Sequence, residues 1–332
     1  GFDLHGVSEL EYGFDERKKA EYMSHLFQTE HYEIVLKAGD MERCLPEFTR
    51  HLEEPRVGQS YPNWYASKLA SKFVKVVLAG TGGDELFAGY PWRYYRAVNN
   101  SHFDDYIDKY YIFWQRLIDN KKIQKAFSPI WDDVKHVWTR DIFRDVYRDH
   151  TPRLMRPEDY INSSLYFEAK TFLNGLLVVE DKLSMAHGLE VRVPFLDNDL
   201  VEFAQQLPVG LKLNKMEQFT PIDENDTRRD LQSFHRIKDG KCILRNMMRR
   251  HIPEEVSDGE KQGFSAPDAS WFKGKSLEFV RKQLFNGNPA IYNYLDRKSI
   301  ESMIKEHLDG KTNRRLLIWS LLNIEEWMQQ YV

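Results

Sequence analysis

The feature that most constrains this chain is the run VKVVLAGTGGDELFAGY, Val74 to Tyr90, in which a nearly continuous apolar stretch ends on closely spaced glycines and two acids. Val74 to Ala79 reads as a β-strand, and a strand apolar on both sides is expected to be buried on both faces, as in a parallel sheet covered by helices. The glycines then turn the chain into a helix. In open α/β sheets ligands bind beyond the carboxyl ends of strands, where glycine lets backbone N–H groups approach an anion unobstructed. Gly80, Gly82 and Gly83 suit that task, with Ala79 at the strand end. Asp84 and Glu85 fall at the helix start, where their carboxylates either cap the helix or bind a magnesium ion accompanying a nucleotide. Glycines followed by an acid also build ordinary strand-to-helix turns, so this run by itself leaves both readings open.

The flanking pattern supports a sheet covered by helices. Asp15 is placed to cap a helix beginning ERKKAEYMSHLF, His31 to Lys37 reads as a short strand, and Asp40 as the cap of MERCLPEFTRHL. Pro46 is compatible with that second helix only near its first turn. A helix from Trp64 to Lys72 leads into the apolar strand. This alternation predicts an α/β nucleotide-binding core over residues 1–100. From Phe103 to Met185 the chain is aromatic-rich with helical patterning, and Leu244 to Val332 adds further helices, so residues 101–332 are expected to form a mainly helical lobe. Between them, Asn214 to Lys241 is polar around DENDTRRD and reads as a surface loop or a partly disordered segment.

Two further stretches carry candidate chemistry. In EDKLSMAHGLEVRVPFLD, Glu180 to Asp197, charged residues interrupt an apolar run. Buried charges need partners, which predicts a network of Asp181, Glu190 and Arg192 beneath a ligand site or a domain seam. His187 has no partner at ligand or triad spacing and reads as a satisfied core histidine. In EKQGFSAPDASWF, Glu260 to Phe272, Lys261 precedes a Gln-Gly-Phe turn that Pro267 closes. Its compact charge can neutralise a phosphate or a developing oxyanion, and a solvated loop lysine is the plain alternative.

Charge and cysteine usage narrow the partners. Lysine plus arginine (47) nearly balance aspartate plus glutamate (51), so no overall basic field draws nucleic acid or an anionic membrane. No apolar stretch approaches the ~18 to 20 residues that span a bilayer. Cys44 and Cys242 lack any paired metal or redox spacing, which predicts structural thiols in a reduced, cytoplasmic protein. No histidine pair of the HExxH kind occurs, and no structural zinc is expected.

Taken together and in this order, the three motifs resemble the synthetase domain of asparagine synthetases, along nearly the entire chain from Gly1 to the terminal tryptophan-rich helix. Ala79 to Glu85 match that family's Ser-Gly-acid-Gly-Gly/Ser-Asp-Glu run, Glu180 to Asp197 its DRxSMAHxLEVRVPFLD stretch, and Lys261 its active-site lysine. The resemblance implies an α/β fold of the pyrophosphate-loop ATPase type (adenine nucleotide alpha hydrolase-like), an open parallel sheet joined to a large helical lobe. It also implies a reaction in which the aspartate side chain attacks the α-phosphorus of ATP, with Mg2+, to give β-aspartyl-AMP and pyrophosphate. Ammonia, released from glutamine by a separate N-terminal domain, then displaces AMP.

On the same basis Asp84 is expected to ligate magnesium. Ala79 and Gly80 would line the adenosine pocket, with Gly82, Gly83, Asp181 and Arg192 beside the cofactor. Lys261, Thr81 and Glu85 are the expected catalytic residues, and a homodimer is compatible with the resemblance. Two departures stand out. The family's SGGxDS pyrophosphate loop is absent from this sequence, so the resemblance predicts an ATP site that these 332 residues do not complete. Thr81 stands where the family often has an acid, and a hydroxyl donates a hydrogen bond but cannot act as a carboxylate. Glutaminase chemistry needs an N-terminal cysteine nucleophile, and the first residue here is Gly1. Rival readings are a related amide-forming enzyme acting on another carboxylate, of the β-lactam synthetase kind, and a catalytically silent scaffold.

Overall fold

The computed structural model describes residues 1–95, 100–149, 154–214, 239–259 and 266–332. Helices α1 (Arg17–Phe27), α2 (Asp40–Leu52) and α3 (Tyr61–Ala70) precede strand β1 (Val76–Leu78). After the glycine turn come α4 (Gly83–Leu86), α5 (Pro91–Tyr95), α6 (Phe103–Trp114), α7 (Asn120–Ala126), α8 (Trp131–Val134) and α9 (Thr139–Asp145). Helix α10 (Pro157–Glu168) passes through one π-helical turn, Ala169–Leu173, into α11 (Asn174–Met185), which delivers the chain to strand β2 (Glu190–Arg192). Then follow α12 (Asn198–Gln206), α13 (Val209–Lys212), α14 (Cys242–Met248), α15 (Glu254–Ser257) and α16 (Asp268–Trp271). Helices α17 (Leu277–Leu284), α18 (Arg297–Leu308) and α19 (Arg315–Tyr331) complete the described chain.

The principal core follows from helical periodicity. Met41, Cys44, Leu45, Phe48 and Leu52 recur along one face of α2 and are buried. They pack with Tyr61 and Trp64 of α3, Val179 and Leu183 of α11, and a solid run of α19 from Leu317 to Leu322. Polar side chains lace α19 to the end of α2: the Trp319 indole N–H donates to the Arg56 carbonyl and that of Trp327 to the Glu53 carbonyl, both at 2.8 Å. A second core is almost wholly aromatic, with Tyr106, Tyr110 and Phe113 of α6 against Phe143, Tyr147, Tyr160 and Phe167.

Local expectations fare unevenly. Glu16, not Asp15, stands at the N-cap of α1; the Asp15 carboxylate accepts the Arg17 backbone N–H at 3.4 Å and grips the Arg17 guanidinium at 2.8 Å. Helix α2 starts on Asp40 itself, with Gly39 ahead of it, and Asp40 accepts the Lys37 backbone N–H at 2.6 Å. Pro46 lies inside α2, beyond the first turn, because the buried face carries the helix across it. His31 to Lys37 forms no strand; only a single parallel bridge, Phe2 with Leu36, marks it. Helix α3 ends at Ala70, short of the expected Lys72.

The sheet is the main correction. β1 pairs in parallel with β2, Val76 beside Glu190 and Leu78 beside Arg192, and these two strands make the whole sheet among the described residues. Paired residues share a face, and this face is open: Val76 is 51% exposed and Leu78 75%. The expectation of a strand buried on both faces therefore fails: among the described residues nothing covers Val76 and Leu78. The described chain is mostly helical with a small parallel sheet.

Candidate functional site

The turn after β1 is held by close contacts at its glycines. Gly82 has φ +96°, a conformation side chains rarely adopt, and a Cβ there would lie 2.4 Å from the Leu196 side chain. Gly83 packs on the Phe195 ring. The first two sequence motifs thus dock directly on each other, and the Ala79 N–H donates to the Arg192 carbonyl at 2.8 Å, prolonging the ladder to the turn. Gly80 faces open space, Thr81 is half-buried, and Glu85 is 3% exposed.

Asp84 meets a residue that sequence reasoning missed. Its Oδ1 lies 2.8 Å from the Lys241 ammonium. Lys241 is presented at the start of α14 in the left-handed region, φ +59°, and its N–H donates to the Phe87 carbonyl at 3.0 Å. Facing it, Ala88 is also left-handed, φ +57°. Non-glycine residues in this region are strained, and such strain clusters at ligand sites. Arg245 ties the arrangement down by donating to the carbonyls of Gly240, Ser257 and Gly259 at 2.9, 3.0 and 2.8 Å.

Lys261 lies outside the described residues, but both flanks of its segment are anchored. Arg245 fixes Ser257 and Gly259 before it. After it, Tyr61 donates to Asp268 Oδ1 at 3.0 Å, and Glu11 accepts the N–H groups of Ala269 and Ser270 at 3.2 and 3.1 Å. The expected buried network of Asp181, Glu190 and Arg192 does not form: all three are exposed, with Arg192 Nε 3.4 Å from Glu190 Oε1. Residues 190 and 192 share the open face of the sheet, so water solvates both charges. Lys182 turns away to Glu53, 2.7 Å, and Asp197 caps α12 through the Asp199 and Leu200 N–H groups. His187 is half-buried, with its ring 4.3 Å from that of Trp64 and burial lowering its pKa; it keeps a hydrogen bond to the Trp64 backbone, while its Nε2 has no hydrogen-bond partner among the described residues.

Electrostatics sharpen the turn. Burial, and then the adjacent Asp84 charge, raises the Glu85 pKa, while the Tyr90 hydroxyl donates to Glu85 Oε1 at 2.9 Å. Burial pushes Cys44 to about 12 and Cys242 to about 11, so both thiols stay protonated near neutrality. Among the described residues no group of three or more His, Cys, Asp or Glu is arranged to hold a metal ion. A carboxylate beside an ammonium is instead the donor set for a magnesium–phosphate pair, in which phosphate oxygens and water supply most of the magnesium ligands. Asp84 and Lys241 fit that chemistry.

Comparison with known proteins agrees with the resemblance. The chain is similar to asparagine synthetase [glutamine-hydrolyzing] 1 of Bacillus subtilis, 23% identical over 352 residues that cover 98% of this chain and 51% of that protein. It is likewise similar to a putative asparagine synthetase [glutamine-hydrolyzing] of Mycobacterium bovis, 24% identical over 370 residues covering 100% of this chain and 50% of the relative. A weaker likeness, 19% identical over 283 residues, reaches amidase chyE of Penicillium rubens, with 73% of this chain and 39% of that protein covered. The chain spans about half the length of the first two relatives. No helix among the described residues is long and apolar enough to cross a membrane. The family model described as asparagine synthase matches residues 2–329, and the chain belongs to that family of ligases.

Proposed function

We propose that this chain is the ATP-using part of an asparagine-forming ligase, which activates the side-chain carboxylate of aspartate as β-aspartyl-AMP for attack by ammonia. The observation that carries the reading is the meeting of Asp84 and Lys241 on the glycine turn, 2.8 Å apart. Carboxylate and triphosphate repel each other, so a site joining them needs fixed positive charge and a metal ligand side by side. Asp84 is the magnesium ligand of the proposal, and bound magnesium screens the phosphate charge. The Lys241 ammonium neutralises a phosphate oxygen, and the backbone of Ala79 and Gly80 lines the adenosine pocket, with Gly82 and Gly83 shaping the turn. Thr81 donates a hydrogen bond, Glu85 fixes the turn from below, and Lys261 supplies charge as pyrophosphate leaves. Asp181 and Arg192, both exposed, are placed for ligands only at the rim. Ammonia comes from glutamine in a separate domain, the protein works in the cytoplasm, and a homodimer is compatible with all of this.

A second reading keeps the chemistry and changes the carboxylate, favoured by the likeness to an amidase and by Thr81 in place of an acid. Aspartate-dependent exchange of labelled pyrophosphate into ATP separates the two, run on this chain and on a version extended upstream. Exchange elicited by aspartate is the expected result. Exchange with another carboxylate alone selects the second reading, and none with any carboxylate in either folded protein overturns both. Within an active form, Asp84→Asn should raise the magnesium concentration for half-maximal exchange at least about tenfold, the loss that even outer partners of a bound metal carry. An unchanged magnesium titration returns Asp84 to the role of helix acid.

A further inference from the structure

Beneath the Asp84–Glu85 turn lies a second set of charges that touches no expected ligand. Arg93 and Glu168 are buried, their side chains 6% and 0% exposed, with Nη1 3.6 Å from Oε1. Both oxygens of Glu168 accept from hydroxyls, Oε1 from Tyr110 and Oε2 from Tyr94, each at 3.0 Å. The Arg93 guanidinium carbon sits 3.8 Å from the ring centre of Tyr90, 4.6 Å from that of Phe172 and 5.1 Å from that of Trp114. The Tyr90 hydroxyl then donates to Glu85. A continuous path runs from Glu168 through Arg93 and Tyr90 to Glu85.

The backbone is bent at both ends of this path. Glu168 is the last residue before the π-helical turn and Phe172 lies within it, a conformation rare in helices and frequent at functional sites. At the other end Tyr90 lies two residues beyond the left-handed Ala88. Buried ion pairs are a weak source of stability, and apolar side chains fill such volumes as well or better. What an arginine sandwiched between rings and a carboxylate held at both oxygens supply is one fixed geometry.

We propose that Arg93 and Glu168 are positioning residues of the nucleotide site: pressed on Tyr90, they hold Glu85 and with it the Gly82–Leu86 turn that carries Asp84. The proposal rests on the nucleotide reading of that turn. Glu168→Gln keeps shape while removing the charge that holds Arg93, Tyr90→Phe cuts the link to Glu85, and Arg93→Lys keeps charge without the flat stack. Amide hydrogen exchange in the ligand-free protein is the first readout. In Glu168→Gln and Tyr90→Phe, exchange at residues 83–86 should rise about tenfold, the loss of one charge-assisted hydrogen bond, with α18 and α19 unchanged; Arg93→Lys should fall between.

In an active form the same variants should raise the KM for ATP by a similar factor with kcat nearly unchanged, because ground-state and transition-state binding weaken together. A purely structural role would instead lower the active fraction, and so kcat, at constant KM. Exchange at 83–86 that stays unchanged, or rises together with α19, overturns the proposal whether or not the protein turns over. A local rise with unchanged KM in an active protein overturns it as well. Absence of turnover in every protein counts against the ATP reading, and the exchange data still decide whether Arg93 and Glu168 hold the turn.

Discussion

Gly240→Ala is expected to destabilise the protein by about 1 to 3 kcal/mol, the usual cost of overpacking a tight contact. The reason is local and specific. A Cβ at Gly240 would lie 2.3 Å from the Ala88 carbonyl oxygen, a backbone atom that no rotamer change moves aside. Relief requires the segment before α14 to lift from the Phe87–Gly89 loop. That movement breaks the Lys241 N–H bond to Phe87 and pulls the ammonium from Asp84. Gly80→Ala is the contrast, because nothing lies within 4 Å of its Cβ position, and its effect should stay within about 0.5 kcal/mol. Urea denaturation of both variants, with the slope held common, checks the pair. Equal shifts would mean that the Gly240 contact does not hold the two loops together.

Asp268→Asn should stabilise the protein at alkaline pH and leave it nearly unchanged near pH 3. Asp268 is 1% exposed, with Oδ1 bound by Tyr61 and no partner for Oδ2 among the described residues. Burial, against the opposing pull of the Tyr61 bond and Arg315, pushes its pKa up to about 7. In the unfolded chain an aspartate titrates near 3.9. Between those values the folded state binds more protons than the unfolded one, so stability falls as pH rises through this window. The full difference is about 4 kcal/mol at most, since one pKa unit corresponds to about 1.4 kcal/mol. Asparagine copies the protonated form and removes the term. Glu168, raised to about 7, and His307, lowered to about 4, titrate in both proteins and cancel in the difference. Denaturation midpoints from pH 3 to 8 should therefore diverge with increasing pH, and parallel curves would mean that Asp268 is ionised in the folded protein.

How much was legible in the sequence depends on distance along the chain. The glycine turn at Gly82 and the helices around it were readable, because a strained turn and helical periodicity are written in consecutive residues. The Lys241 partner of Asp84 was not, since nothing local distinguishes a lysine that folds back across 157 positions from a solvated one. Charges in apolar runs share one sequence signature but meet different fates. Glu190 and Arg192 emerged into water on an open sheet face, whereas Glu168, a lone acid among the aromatics of LYFEAKTF, is the carboxylate that became buried. The signal was present there in residue types, but only tertiary packing decides which face a short strand or a π turn presents. Asp268 and Glu11 were equally silent, as each anchors a segment distant in sequence.

The lacing of α19 to the end of α2 bears on biosynthesis. Trp319 reaches Arg56 across 263 positions, and Trp327 reaches Glu53 across 274. The ribosome makes α2 well before α19, so the apolar face of α2 stays open until α19 has been translated. Contacts of such span are slow to close, and the waiting face is exposed to aggregation meanwhile. The principal core can therefore close only once α19 has been made, and chains that stop short of α19 will be substrates for chaperones and proteases.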